Sequence, residues 1–130
     1  MKKISLLTKV AFHVVNVILI IFYVYPGSII GWLVYGDFQK QPQITSDLSF
    51  FSLNHVYAFL ILSFLGLPSY YMKNLKNLFI YLFFISIFLE LCHIIIPQRS
   101  FEYKDLFGNI FGVLTVFLTF NFYQFLKKKL

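Results

Sequence analysis

Of 130 residues, 59% are hydrophobic and only 12% charged, with a mean hydropathy of +0.78; a soluble domain of this size needs far more charge to cover its surface. The net charge of +6 sits in short basic clusters that flank apolar runs, which is a membrane-topology pattern and not a nucleic-acid-binding face. A single cysteine, Cys92, excludes an internal disulfide, and its apolar surroundings suit a small hydrophobe.

Four stretches with little or no charge follow one another: 10–36, 48–72, 77–98 (broken only by Glu90) and 106–126. A helix crosses a bilayer with about 20 residues, so each stretch suffices. The expected fold is an all-α membrane protein, one domain over 1–130. It is a four-transmembrane-helix bundle with helices at about 10–35, 51–71, 77–96 and 105–126.

The first stretch follows Lys2 and Lys3 as a signal-peptide core would, but it is too long and no A-x-A-like site follows it. A retained helix is expected. Pro26 and Gly27 fall inside it, where a proline removes a backbone hydrogen bond and favours a kink. Trp32 and Tyr35, with Tyr23 and Tyr25 deeper, fit an aromatic belt around this helix, while His13 and Asn16 suit interhelical or interfacial hydrogen bonds. In the second stretch, Gly66-Leu67-Pro68 marks an end or bend.

Eight basic residues (Lys2, Lys3, Lys9, Lys73, Lys76, Lys127, Lys128, Lys129) fall on one side of these spans and three (Lys40, Arg99, Lys104) on the other. The positive-inside rule then places the first side, with both the N and C termini, in the cytoplasm. The acidic residues Asp37, Asp47, Glu90, Glu102 and Asp105 all fall in the outer half.

Polar residues within the spans gather in that outer half too. His55 opens the second helix; Glu90 and His93 share a face of the third, with Ser86 and Pro97 extending it. At 1.5 Å per residue Glu90 lies ~10 Å deep. Asp105 opens the fourth helix, where a carboxylate caps free N–H groups, and Asn109 and Gly112 continue its face toward Thr115 or Thr119. An unpaired charge in a bilayer costs about 2.5–3.5 kcal/mol, so Glu90 needs a partner. Arg99, the only arginine, is the expected one: its fork should bridge at least one of Glu90 and Asp105, with Asn109 completing the hydrogen bonds.

Gly27 with Gly31, and Gly108 with Gly112, form G-x-x-x-G pairs that suit close helix–helix packing. His55, Glu90 and His93 carry donor types that zinc accepts, but without an HExxH-like spacing no metal is expected, and no nucleotide loop or other cofactor signature appears. Cys92 and His93 are adjacent on a helix and do not face each other as a nucleophile pair would. No catalytic residue can be assigned.

The spacing Glu90-x2-His93-x3-Pro97-x-Arg99-x5-Asp105-x3-Asn109-x2-Gly112 resembles that of the VanZ-like family of small bacterial membrane proteins. So does Asn54-His55-x2-Ala58-Phe59-x2-Leu62, a polar residue and a histidine opening a helix; together the two cover about residues 47–118. His93 stands where the family commonly has glutamine, and Asn54 where it often has a charged residue. The family is named for an accessory protein of teicoplanin resistance, so glycopeptide resistance is here a family label only.

The resemblance implies a multi-pass protein of the bacterial plasma or inner membrane. Its outer-face polar site would comprise His55, Glu90, His93, Arg99, Asp105 and Asn109, serving a non-enzymatic accessory role in the cell envelope. Membrane lipid, a lipid-linked envelope precursor, a membrane-protein partner or a second copy are the partners this allows; nucleic acid is not. One alternative is a membrane enzyme acting on an envelope lipid, with Glu90 or Asp105 as acid or base and Arg99 holding phosphate. Another is a structural subunit of a larger membrane complex, with the polar cluster fixing helix register.

Overall fold

The computed structural model describes residues 2–70 and 74–129, with side chains from residue 6 onward. Among these residues there are five helices and no strand: α1 (Lys2–Val24), α2 (Ile29–Tyr35), α3 (Leu53–Tyr70), α4 (Leu75–Cys92) and α5 (Tyr103–Lys129). All but the seven-residue α2 are long and apolar enough to cross a membrane.

The single helix expected over 10–35 is two helices. Pro26 brings no N–H to continue α1, and Gly27 takes φ +93°, a left-handed conformation that glycine alone adopts at little cost. Ser28 then starts a new helix: its Oγ accepts the Gly31 N–H at 2.9 Å. α2 closes at Gly36, φ +69°, whose N–H reaches the Trp32 carbonyl. Gly27 and Gly31 therefore serve the following connection and not another helix, correcting the packing role expected of them. A Cβ on Gly31 would run into the Lys40 carbonyl, and one on Gly27 would stand 3.0 Å from that of Phe38.

Pro68 neither stops nor ends α3, which runs through it to Tyr70; the expected end at residue 71 lies outside the described residues. α4 stops at Cys92, short of the expected 96. From His93 to Ile95 the backbone tightens, each N–H bonding three residues back to the carbonyls of Glu90, Leu91 and Cys92, and the chain then leaves through turns that reach φ +60° at Gln98. α5 begins at Tyr103, so Asp105 lies within its first turn and does not form its N-cap.

The long helices alternate in direction. Phe12 and His13 meet Tyr70 at one end while Tyr23 meets His55 at the other, so α1 and α3 are antiparallel. Asn109 meets Ser86 and Phe117 meets Phe79, so α4 and α5 are antiparallel as well. α3 and α5 run parallel and close. A Cβ on Gly108 would lie 2.6 Å from the Ser52 carbonyl oxygen, and one on Gly112 2.5 Å from that of Val56. Such contact between backbones is possible only without a side chain at the crossing. Phe59, Leu62, Leu82 and Val113 fill the centre and are fully buried, whereas Leu, Ile and Phe side chains cover much of the outside.

The 25–52 and 93–102 connections share one end, joined by the Ser52 N–H to the Lys104 carbonyl and by Arg99 to the end of α1. We call it the polar end. The start of α1, the end of α3, the start of α4 and the end of α5 lie at the other end, the terminal end.

Candidate functional site

The break in α1 creates the first requirement at the polar end. A helix that stops leaves its last carbonyls without intrahelical partners, and they take donors from elsewhere. The last turn of α1 holds no basic residue, so the caps come from the chain after α4. Arg99 donates from Nη2 to the Phe22 carbonyl at 2.7 Å and from Nε to that of Tyr25 at 3.3 Å. His93 Nε2 lies 3.1 Å from the Tyr23 carbonyl. Cationic side chains at a helix C-terminus also suit its dipole.

This geometry overturns the pairing expected of Arg99. The ion pairs among the described residues join histidines to carboxylates, and none within 4.0 Å includes Arg99. The fork is turned to α1 because the chain break supplies carbonyls there. Burial lowers the Arg99 pKa from its ordinary value, and the negative charges of Glu90 and Asp105 at longer range work the other way; a guanidinium remains protonated under both influences.

Two imidazole–carboxylate pairs take the place of the expected bridge. Glu90, in the last turn of α4, is 0% exposed. Its Oε1 lies 3.2 Å from His93 Nδ1 and accepts the Glu102 N–H at 3.2 Å. Both ring nitrogens of His93 thus face acceptors, one a carbonyl and one a carboxylate. A single proton must lie between His93 and Glu90, leaving them either as imidazolium and carboxylate or as imidazole and carboxylic acid. His55, in the first turn of α3, places Nε2 3.3 Å from Asp105 Oδ2 and Nδ1 4.0 Å from Glu90 Oε2.

Asn109 ties the pairs together. Its Nδ2 donates to the Ser86 carbonyl at 3.1 Å, which turns Oδ1 toward Tyr23 Oη at 2.6 Å and His55 Nδ1 at 3.0 Å. Tyr23 Oη also lies 2.8 Å from His55 Nδ1, and its ring stacks on His93 with centroids 5.6 Å apart.

Of the residues expected here, His55, Glu90, His93, Asp105 and Asn109 converge, while Arg99 lies at the rim with a different partner. Tyr23, assigned above to an aromatic belt, is buried at the centre of the network. Its hydroxyl was the available signal, submerged among nine tyrosines. Trp32 and Tyr35 remain exposed. Thr115 and Thr119 bond back to their own helix, to the carbonyls of Phe111 and Thr115, and Pro97 lies outside α4.

A cavity of about 510 Å³ adjoins the network. Ile18 and Phe22 of α1 and Ala58 and Ile61 of α3 are among the apolar residues of its wall, and Arg99 and His93 are among the polar ones. Asn54 shapes its mouth by accepting the Ile44 N–H at 3.1 Å and donating to the Pro42 carbonyl at 2.8 Å. An apolar slot with few polar groups suits an amphiphile.

Comparisons with protein-family models, with curated proteins and with solved structures return no match for this chain.

Proposed function

We propose that this is a VanZ-like protein of the bacterial plasma or inner membrane, with both termini cytoplasmic and the polar end outward. Its role is that of a non-enzymatic cell-envelope accessory. The cavity receives the anionic head group and upper chain of a membrane lipid or lipid-linked precursor. Lys9, Lys76 and Lys127–Lys129 at the terminal end, against Lys40, Arg99 and Lys104 at the other, support this orientation. The convergence of His55, Glu90, His93, Asp105 and Asn109 supports the family resemblance, since spacing alone does not require these residues to meet.

The observation that carries the reading is Arg99 on the cavity wall with no carboxylate within 4.0 Å among the described residues. Its carbonyl contacts leave N–H groups free for a phosphate or carboxylate. The protein extracted into nanodiscs with its native lipid should retain an anionic lipid, detected by native mass spectrometry. Arg99→Gln, by removing the charge, and Ile61→Trp, by filling the wall, should each reduce retention roughly tenfold or more, about 1.4 kcal/mol. Equal retention by both variants contradicts the proposal.

One observation favours the enzyme reading, the 3.2 Å contact of Glu90 Oε1 with His93 Nδ1 beside the cavity, an acid–base pair. Turnover of the retained lipid by the parent and not by Glu90→Gln would establish it.

A further inference from the structure

We infer that the polar end binds a divalent metal ion of the zinc class between His55, Glu90 and Asp105. One ring nitrogen of His55 and one oxygen from each carboxylate all lie within 4.8 Å of one another. Each residue comes from a different long helix, α3, α4 and α5. The glycine contacts at Ser52 and Val56 hold α3 and α5 at the separation that the set requires.

A second observation points to a ligand. Glu90 Oε2 is fully buried and has no hydrogen-bond partner, although Oε1 of the same carboxylate has two. A buried carboxylate oxygen without a donor is costly. His55 Nδ1, at 4.0 Å, is too far to serve as one. A cation among the three residues would satisfy it directly. Neutral His55 and two ionised carboxylates carry two negative charges, offset in part by the His93 imidazolium beside an ionised Glu90, and the negative charge that remains attracts a cation.

The surroundings match those of a ligating imidazole. Asn109 Oδ1 and Tyr23 Oη lie 3.0 and 2.8 Å from His55 Nδ1, and Nε2 faces Asp105. An outer partner on one ring nitrogen fixes the orientation of the other. The donors are nitrogen and oxygen without sulfur, a set that zinc accepts in open three-ligand sites. Bonds of about 2.0–2.2 Å would draw tetrahedral ligands to about 3.3–3.6 Å from one another, so the group must close by roughly 1 Å. Asp105 has the freedom to do this: its side chain is 18% exposed, and that of His55 11%. The same opening leaves a fourth position for water or an anion. His93, the second histidine weighed on sequence grounds, is excluded because both its nitrogens are already engaged. The inference does not depend on lipid binding.

The test uses the full chain in detergent, stripped with a chelator, then given zinc, manganese or magnesium chloride in separate samples. Bound metal is counted by plasma mass spectrometry after gel filtration, and affinity is measured by competition with a chromophoric chelator. The expected result is one zinc per chain, bound more tightly than magnesium. His55→Asn, Glu90→Gln and Asp105→Asn should each weaken it by roughly 100-fold or more, at or beyond the loss typical of an outer-shell change. His13→Asn, at the terminal end, should bind as the parent does. Asp105→Asn is the variant nearest the surface, and helicity and elution volume report whether it folds. A folded parent that binds no zinc, or that prefers magnesium, overturns the inference. So does a folded Asp105→Asn that keeps full affinity.

Discussion

Both ends of the bundle contain histidine, asparagine and tyrosine, yet the two are built differently. At the terminal end the contacts are separate pairs: His13 Nε2 lies 3.1 Å from Tyr70 Oη, and Asn16 Nδ2 donates to Tyr81 Oη. These residues border a cavity of about 330 Å³ that no Asp or Glu lines. At the polar end, two histidines, two carboxylates, a tyrosine and an asparagine share partners, and Glu90 and Asn109 are both 0% exposed. A polar residue in an apolar helix is therefore a weak indicator of a site. Interhelical pairs of the first kind stabilise membrane bundles by about 0.6 kcal/mol on average. A shared network that includes buried carboxylates responds very differently when one member is lost.

Substitutions should separate the two ends by size of effect. The largest is expected from Glu90→Leu, which leaves His93 without its carboxylate and the Glu102 N–H without an acceptor. Breaking one side of a buried charged pair costs about 3–5 kcal/mol, measured here as lost resistance to SDS unfolding. A cost below 1 kcal/mol would place Glu90 outside any network. Gly112→Leu should follow, near the upper end of the roughly 1–3 kcal/mol typical of overpacking, because its Cβ meets α3 backbone and not a movable side chain. If Gly112→Leu melts like the parent, the α3–α5 contact is wrong.

Arg99→Gln should cost roughly 2 kcal/mol, the worth of a charged hydrogen bond, by uncapping α1. Arg99→Lys should recover part of this, since a point charge replaces only some of the fork. At the terminal end, Asn16→Leu should cost about 0.6 kcal/mol and no more than about 1.7. An effect as large as that of Glu90→Leu would erase the distinction between the two ends.

The four long helices were plain in the sequence, because each is a run of about 20 apolar residues between charges, long enough to cross a membrane. Which polar residues meet was legible where helical spacing fixed a shared face, as with Glu90 and His93 or Asp105 and Asn109. Two things were not. Pro26 is compatible with a kink or a stop, and the stop depends on Gly27 turning left-handed and Ser28 restarting the helix, a choice settled by contacts with residues 38–40. Arg99 has a carboxylate on either side of it in sequence, but its true acceptors are carbonyls more than 70 residues away, exposed only because α1 breaks. One misplaced break thus accounts for two errors, the role of Gly27–Gly31 and the partner of Arg99.

Cysteine accessibility in intact cells measures most directly the proposed orientation, with the polar end outward and four spans. Cys92 is replaced by alanine to give a thiol-free background. Single cysteines then go into Ser46 and Ser100 at the polar end, Lys76 at the terminal end, and a position appended after Leu130. An impermeant maleimide should label Ser46→Cys and Ser100→Cys in whole cells. Lys76→Cys and the appended cysteine should react only after the cells are opened. Labelling of Lys76→Cys in whole cells, with Ser100→Cys protected, would contradict it.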